Sequence, residues 1–226
     1  MNELSSGWNH LRGIEPLSLC DWPGRTSCVF FLGGCNLNCP TCHNFDMAWN
    51  MERLPLLSRE DMKSFLRNRA KWLDGVTITG GEPTTVPNLG EILYEIKQVS
   101  KLPIKMDSNG MLPEVLEDIL QQGLADMFAV DVKGPYEKYP ALTGQAVTAE
   151  AAQKNLERIF ELAEANPKAF YFRLTKMPIL TDEDVETAKG YIPDGFNLTI
   201  QNYIPPRRDH AHADNEERRP VGDLVD

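Results

Sequence analysis

The sequence has no apolar run approaching the roughly 18 residues that a membrane-crossing helix needs, which excludes a helical integral membrane protein. Met1 to His10 lack an apolar core behind a basic flank, so they do not read as a secretory signal. Excess positive charge is missing as well. Against 33 Asp and Glu stand 23 Lys and Arg, a net charge of −10. So acidic a chain lacks the electrostatic footprint of a dedicated nucleic-acid binder. Cysteine is scarce and odd in number: Cys20, Cys28, Cys35, Cys39 and Cys42 are all five of them. That excludes a disulfide framework. In the cytoplasm, where the chain is expected, such a cluster binds metal or does chemistry.

What is present is ordinary globular usage, 42% hydrophobic and 25% charged residues among 226, which argues against disorder, collagen or coiled coil for the bulk. Length makes one domain the default. A β-branched and aromatic run at 26–32 and further strand-like runs at 75–79, 102–106, 126–132, 169–174 and 196–203 predict six strands. Helical patterns fall between them, opened by Ser58-Arg-Glu-Asp61, Pro113 and Thr181-Asp-Glu-Asp184, or marked by the apolar faces of 89–99 and 152–163. Strands alternating with helices imply βαβ units, hence an open doubly wound sheet or a barrel. Six units are too few to close an eight-fold barrel. The domain is expected over residues 1–206. Beyond it, 207–226 is mostly charged and reads as a solvated tail.

The unusual polar residues share one placement. Cys35, Glu82, Asp107, Asp131, Arg173 and Gln201 each fall at or just past the end of a strand run, the edge where parallel α/β folds bind ligands. Cys35-Asn-Leu-Asn-Cys39-Pro-Thr-Cys42 puts three soft thiolates on one Gly-flanked loop, suited to an iron–sulfur cluster or to zinc. Zinc would need His43 as its fourth ligand, and adjacent Cys42 and His43 make poor simultaneous ligands. Cys28 alternates within a strand and reads as a buried small hydrophobe; Cys20 reads as packing. His10, His210 and His212 lie near the termini and read as solvated. In Thr79-Gly-Gly-Glu-Pro83 the two glycines let the backbone approach a ligand closely. Asp131 and Lys133, two apart at a strand end, face one side. Lys133 suits a carboxylate, while Asp107 and Asp131 could share a hard cation.

A C-x3-C-x2-C loop after the first strand and Gly-Gly-Glu-Pro after the second resemble the radical S-adenosylmethionine enzymes, over nearly the whole chain to about Tyr203. Within that superfamily, Asp21-Trp-Pro-Gly-Arg25, Phe30-Phe-Leu-Gly-Gly-Cys35 and Cys42-His-Asn44 are similar to the activating enzymes of glycyl-radical proteins. The likeness is first to those of anaerobic ribonucleotide reductase, with the pyruvate formate-lyase activases as cousins. The resemblance implies an α/β fold, a partial (β/α)6 TIM-like barrel of parallel strands. It implies that Cys35, Cys39 and Cys42 hold a four-iron, four-sulfur cluster whose open iron binds S-adenosylmethionine. It assigns the cofactor's amino group to Gly80, Gly81 and Glu82. Its carboxylate, with a monovalent cation, goes to Asp107, Ser108, Asp131 and Lys133. Arg173 would contact the cofactor, and His43 would pack on adenine. A glycyl-radical enzyme would be the protein substrate, and flavodoxin or ferredoxin the electron donor.

The chain departs from the pattern in two places. Thr41 stands where the superfamily often carries an aromatic, leaving His43 and Phe45 to supply the stacking surface, and Gln201-Asn-Tyr-Ile-Pro-Pro206 does not reproduce the Pro-Tyr-His ending of the pyruvate formate-lyase activases. Two other readings remain open: a small-molecule radical enzyme resembling the 7-carboxy-7-deazaguanine synthases, and a non-catalytic iron–sulfur or zinc protein. The Asp-x-Lys and Gly-Gly-Glu-Pro pair argues against the second, and Cys42-His-Asn44 favours the activase over the first.

Overall fold

The computed structural model describes residues 6–205. The boundary expected after residue 206, the charged tail, His210 and His212 lie outside them. Seven strands form one sheet in sequence order: β1 (Leu11–Ser18), β2 (Ser27–Leu32), β3 (Gly75–Gly80), β4 (Ile104–Ser108), β5 (Met127–Asp131), β6 (Phe170–Lys176) and β7 (Leu198–Asn202). From β2 to β7 every pairing is parallel. The order never reverses, as it must in a doubly wound sheet. A sheet that adds each βα unit on the same side curls into a partial barrel.

The expected six parallel strands are there, and a seventh was missed. β1 runs antiparallel to β2. Its sequence, Leu-Arg-Gly-Ile-Glu-Pro-Leu-Ser, shows no clean alternation, because most of the strand is half-buried or exposed at the sheet edge.

Among the described residues seven α-helices connect the strands: α1 (Phe45–Trp49), α2 (Arg59–Arg69), α3 (Leu89–Ser100), α4 (Pro113–Gln121), α5 (Tyr139–Leu142), α6 (Ala149–Ala165) and α7 (Asp182–Lys189). Capping boxes form at two of the expected helix starts, Ser58 with Asp61 at α2 and Thr181 with Asp184 at α7. Each satisfies two orphaned backbone donors at a helix start. Pro113 opens α4, where its missing N–H costs nothing. None of these helices is long and apolar enough to cross a membrane.

The period-2 pleat then sorts the strand residues into two sets. Cys28, Phe30, Leu32, Val76, Ile78, Ile104, Met106, Phe128, Val130, Phe170, Phe172 and Leu174 point under the helices and join the main apolar core. Cys28 is thereby the buried hydrophobe expected of it. The alternate residues face inward, and on β3 to β6 they include Thr77, Thr79, Lys105, Asp107, Asp131, Arg173 and Thr175. Apolar packing on one face thus fixes a polar set on the other, of which Thr79, Asp107, Asp131, Arg173 and Thr175 line the cavity at the mouth of the barrel.

Candidate active site

The cysteine loop follows β2, and backbone contacts hold it from several sides. Gly34 N–H donates to Met47 O (2.9 Å), Asn38 N–H to Thr143 O (3.0 Å) and Cys42 N–H to Cys39 O (3.1 Å). Two side-chain amides tie the loop to neighbouring strand ends. Asn44 Nδ2 donates to Gly80 O at 2.9 Å, and Asn109 Nδ2 donates to Asn36 Oδ1 at 2.7 Å. His10 is bonded rather than solvated: its Nδ1 lies 2.7 Å from Gly33 O, bracing the start of the loop.

Gly80 and Gly81 are required by the protein itself, a reason different from the one the sequence suggested. A Cβ on Gly80, whose φ is +130°, would lie 2.1 Å from Leu32 O, and one on Gly81 would lie 2.0 Å from Gly34 O. Gly81 N–H and Glu82 N–H also donate to Leu32 O and Gly34 O, both at 2.8 Å. The Thr79–Pro83 turn is pressed against the cysteine loop, and glycine alone permits that approach.

A cavity of about 270 Å³ opens at this rim. Its wall contains Cys35, Cys39 and Cys42, the turn from Thr79 to Glu82, and Asp107, Ser108, Asp131, Lys133 and Arg173, with His43 also lining it. Of the residues singled out for cofactor binding, all but Phe45 therefore meet in one space. Asn44, Asn109, Thr175 and Met177 join them. Phe45 is not among the lining residues, and His43 instead makes an edge-to-face contact with Tyr203, ring centroids 6.0 Å apart. Cys20 is exposed beside Ser18 and Asp21, away from the cavity.

The charged groups are arranged as a chain. Arg173 Nε donates to Asp131 Oδ1 at 2.6 Å, and its Nη2 lies 3.4 Å from Asp107 Oδ2. The other Asp107 oxygen takes the ammonium of Lys105, which also donates to Asp21 O at 2.6 Å. Lys105 is 0% exposed and was not foreseen. Burial works against the Asp131 carboxylate, yet Arg173 and Lys133 hold its pKa below the ordinary value. Burial likewise opposes the Lys133 ammonium, but Cys39 and Asp131 beside it hold its pKa above the usual lysine range. The Lys133 backbone N–H donates to Tyr139 Oη at 2.9 Å, fixing the segment beneath it.

Glu82 is 2% exposed and its carboxylate is already occupied. Oε1 accepts from Thr84 Oγ1 (2.6 Å), Thr84 N–H (3.2 Å) and Ser108 Oγ (2.9 Å), and Oε2 accepts from Asn109 N–H (2.7 Å). Burial raises its pKa and these bonds oppose the rise. Glu82 and Ser108 buckle the ends of β3 and β4 together.

The donor set suits a sulfide-rich iron group. Burial pushes the Cys35 thiol up to about 12, with Leu37 N–H opposing and Glu82, Cys39 and Cys42 adding to the rise. Ionising that thiol needs strong positive charge beside it, which bound iron supplies. Among the described residues, no three His, Cys, Asp or Glu side chains close on a single ion. Three thiols lining one cavity supply the soft ligands that an iron–sulfur group takes.

The family model described as the Radical SAM superfamily matches residues 29–192. A Methanocaldococcus jannaschii protein, provisionally named a glycyl-radical enzyme activating enzyme, is 32% identical over 197 residues, 85% of this chain and 79% of that one. The anaerobic ribonucleoside-triphosphate reductase-activating protein of Enterobacteria phage T4 is 29% identical over 122 residues, 53% of this chain and 78% of that one. A 7-carboxy-7-deazaguanine synthase of Clostridium acetobutylicum is 30% identical over 115 residues, 50% of this chain and 49% of that one. Among solved structures, Streptococcus suis SuiB bound to S-adenosylmethionine superposes with a TM-score of 0.54 at 17% identity, covering 78% of this chain and 39% of that one. That likeness establishes the fold alone.

Proposed function

We propose, since the chain belongs to the radical SAM superfamily, that it is an activating enzyme which installs a glycyl radical on a partner protein. The family implies a 4Fe–4S cluster and S-adenosylmethionine, and the residues present fit both. When bound, the two supply a carbon-centred radical by reductive cleavage of the sulfonium. The protein's part is to hold, orient and shield them. We assign the cluster to Cys35, Cys39 and Cys42. Lys133 is assigned to the cofactor's carboxylate, and the backbone oxygens of Gly80 and Gly81 to its amino group. Glu82 and Ser108, whose oxygens are spent on Thr84, Asn109 and each other, shape that turn. Arg173 locks Asp107 and Asp131 in place, which gives those two carboxylates a guanidinium in place of the monovalent cation. His43, with Tyr203 behind it, offers the flat surface for adenine.

The observation that carries this reading is the convergence of the three thiols and the Asp131–Lys133 pair on one cavity. The protein substrate is best sought in anaerobic ribonucleotide reductase, the partner named in the phage relative's description. Flavodoxin or ferredoxin is the electron donor of choice. Mixing the anaerobically reconstituted, reduced protein with S-adenosylmethionine and the reductase should give 5′-deoxyadenosine and a glycyl-radical doublet by electron paramagnetic resonance. Replacing the reductase's radical glycine with alanine should abolish the doublet. Stoichiometric 5′-deoxyadenosine with a purified small metabolite and no protein partner would replace the activase reading with the deazaguanine-synthase-like one.

A further inference from the structure

The two edges of the sheet are built differently. β1 carries the devices that keep a strand edge from pairing with another chain, namely Arg12, Glu15, Pro16 and two register shifts against β2. β7 carries none. From Phe196 to Pro206 there is no charged residue, in a chain where charged residues are 25% of the total. Among the described residues β7 pairs with β6 alone, and Thr199, Ile200, Gln201 and Asn202 are exposed. Beyond it, Ile204 is 70% exposed. An unguarded edge is a template for an extended chain.

That edge also ends at the cavity. Thr175 Oγ1, on the cavity wall, is 3.3 Å from Gln201 Oε1. Tyr203, just past the strand, packs edge-to-face on His43, another wall residue. A chain laid along β7 is therefore delivered to the site.

We infer that the open edge of β7 takes an extended segment of the protein substrate as an added strand, the segment that brings the reacting glycine to the cavity. The inference rests on the activase reading. A glycine offers no side chain to grip, and its reacting atom is on the main chain. Recognition through main-chain hydrogen bonds is the mode suited to such a target.

The test uses the full chain, anaerobically reconstituted, with anaerobic ribonucleotide reductase as the probe. On mixing, hydrogen exchange should slow at residues 198–202, and S-adenosylmethionine alone should not slow it. Thr199→Pro and Ile200→Pro are made in parallel. Proline removes a backbone donor and is tolerated on an edge strand where the lost N–H faced outward. One of these neighbours faces β6 and the other the open edge, so the variant with an unchanged melting temperature marks the outward position. That variant should keep cofactor affinity and uncoupled cofactor cleavage while its KM for the reductase rises roughly fivefold or more.

Radical transfer by the wild type with no added protection, or with the tolerated variant working equally well, overturns the inference and leaves the activase reading standing. Protection of 198–202 in the protein alone assigns the edge to residues 206–226 if independent of concentration, or to a second copy if dependent on it. Either result overturns the inference. If the wild type forms no glycyl radical, the activase reading fails and the edge inference falls with it.

Discussion

Lys105→Met nearly keeps the length of a side chain that is 0% exposed and removes its charge and its hydrogen-bond donors. The wild-type ammonium neutralises Asp107, itself 8% exposed, and bonds the Asp21 carbonyl at 2.6 Å. Breaking a buried ion pair by deleting one partner typically costs about 3–5 kcal/mol, because the survivor is left charged and dry. Arg173 Nη2 remains 3.4 Å from the other Asp107 oxygen, which places the expected loss at the low end, about 3 kcal/mol. For a domain of this length that is a fall in melting temperature of roughly 6–12 °C. Adding Asp107→Asn removes the stranded charge, so the double variant should recover about 2 kcal/mol of the loss. Thermal and urea unfolding of wild type, both single variants and the double variant close the cycle. A shift below about 2 °C for Lys105→Met, or strictly additive losses, would refute the account of this pair.

Removing all three of Cys35, Cys39 and Cys42 by substitution with alanine should leave no iron–sulfur absorbance after anaerobic reconstitution, whereas Cys20→Ala and Cys28→Ala should retain it. Zinc bound stoichiometrically in iron-free wild type would contradict this. Lys133→Ala should weaken S-adenosylmethionine binding at least about tenfold, the value of a charge-assisted hydrogen bond, with the cluster intact by iron and sulfide analysis. Asp184, bonded by Lys138 and by Thr181 at the start of α7, has its pKa lowered to about 2. Its contribution is present above the ordinary carboxylate pKa and is lost as pH falls toward about 2. The melting temperatures of wild type and Asp184→Asn should therefore converge over that range, and a constant gap would exclude the pairing.

The parallel strands were legible because burial on both faces leaves short, largely apolar runs such as Ser27–Leu32 and Met127–Asp131. β1 escaped for the converse reason: an edge strand with Glu15 and Pro16 at its exposed end carries neither a run nor an alternation. The site residues were legible where chemistry demands rare types at fixed spacing, as with Cys35, Cys39 and Cys42. Lys105 was not. A lysine in a strand reads as a surface residue, and one of the acceptors that satisfies it in the interior is the Asp21 carbonyl, 84 positions away in the chain. The ties made by His10, Asn44 and Asn109 are long-range for the same reason, and no local pattern announces them. Gly80 and Gly81 were recognised as important on an incomplete ground, since the backbone each must approach belongs to β2 and the cysteine loop.

The most direct test of the activase reading follows one hydrogen atom. The candidate reductase is prepared with α-deuterated glycine and mixed anaerobically with the reduced protein and S-adenosylmethionine, and the 5′-deoxyadenosine formed is weighed by mass spectrometry. Abstraction from a main-chain glycine predicts singly deuterated product in proportion to the glycyl radical formed. Full yield of product without deuterium would mean the hydrogen comes from elsewhere, and would contradict the assignment.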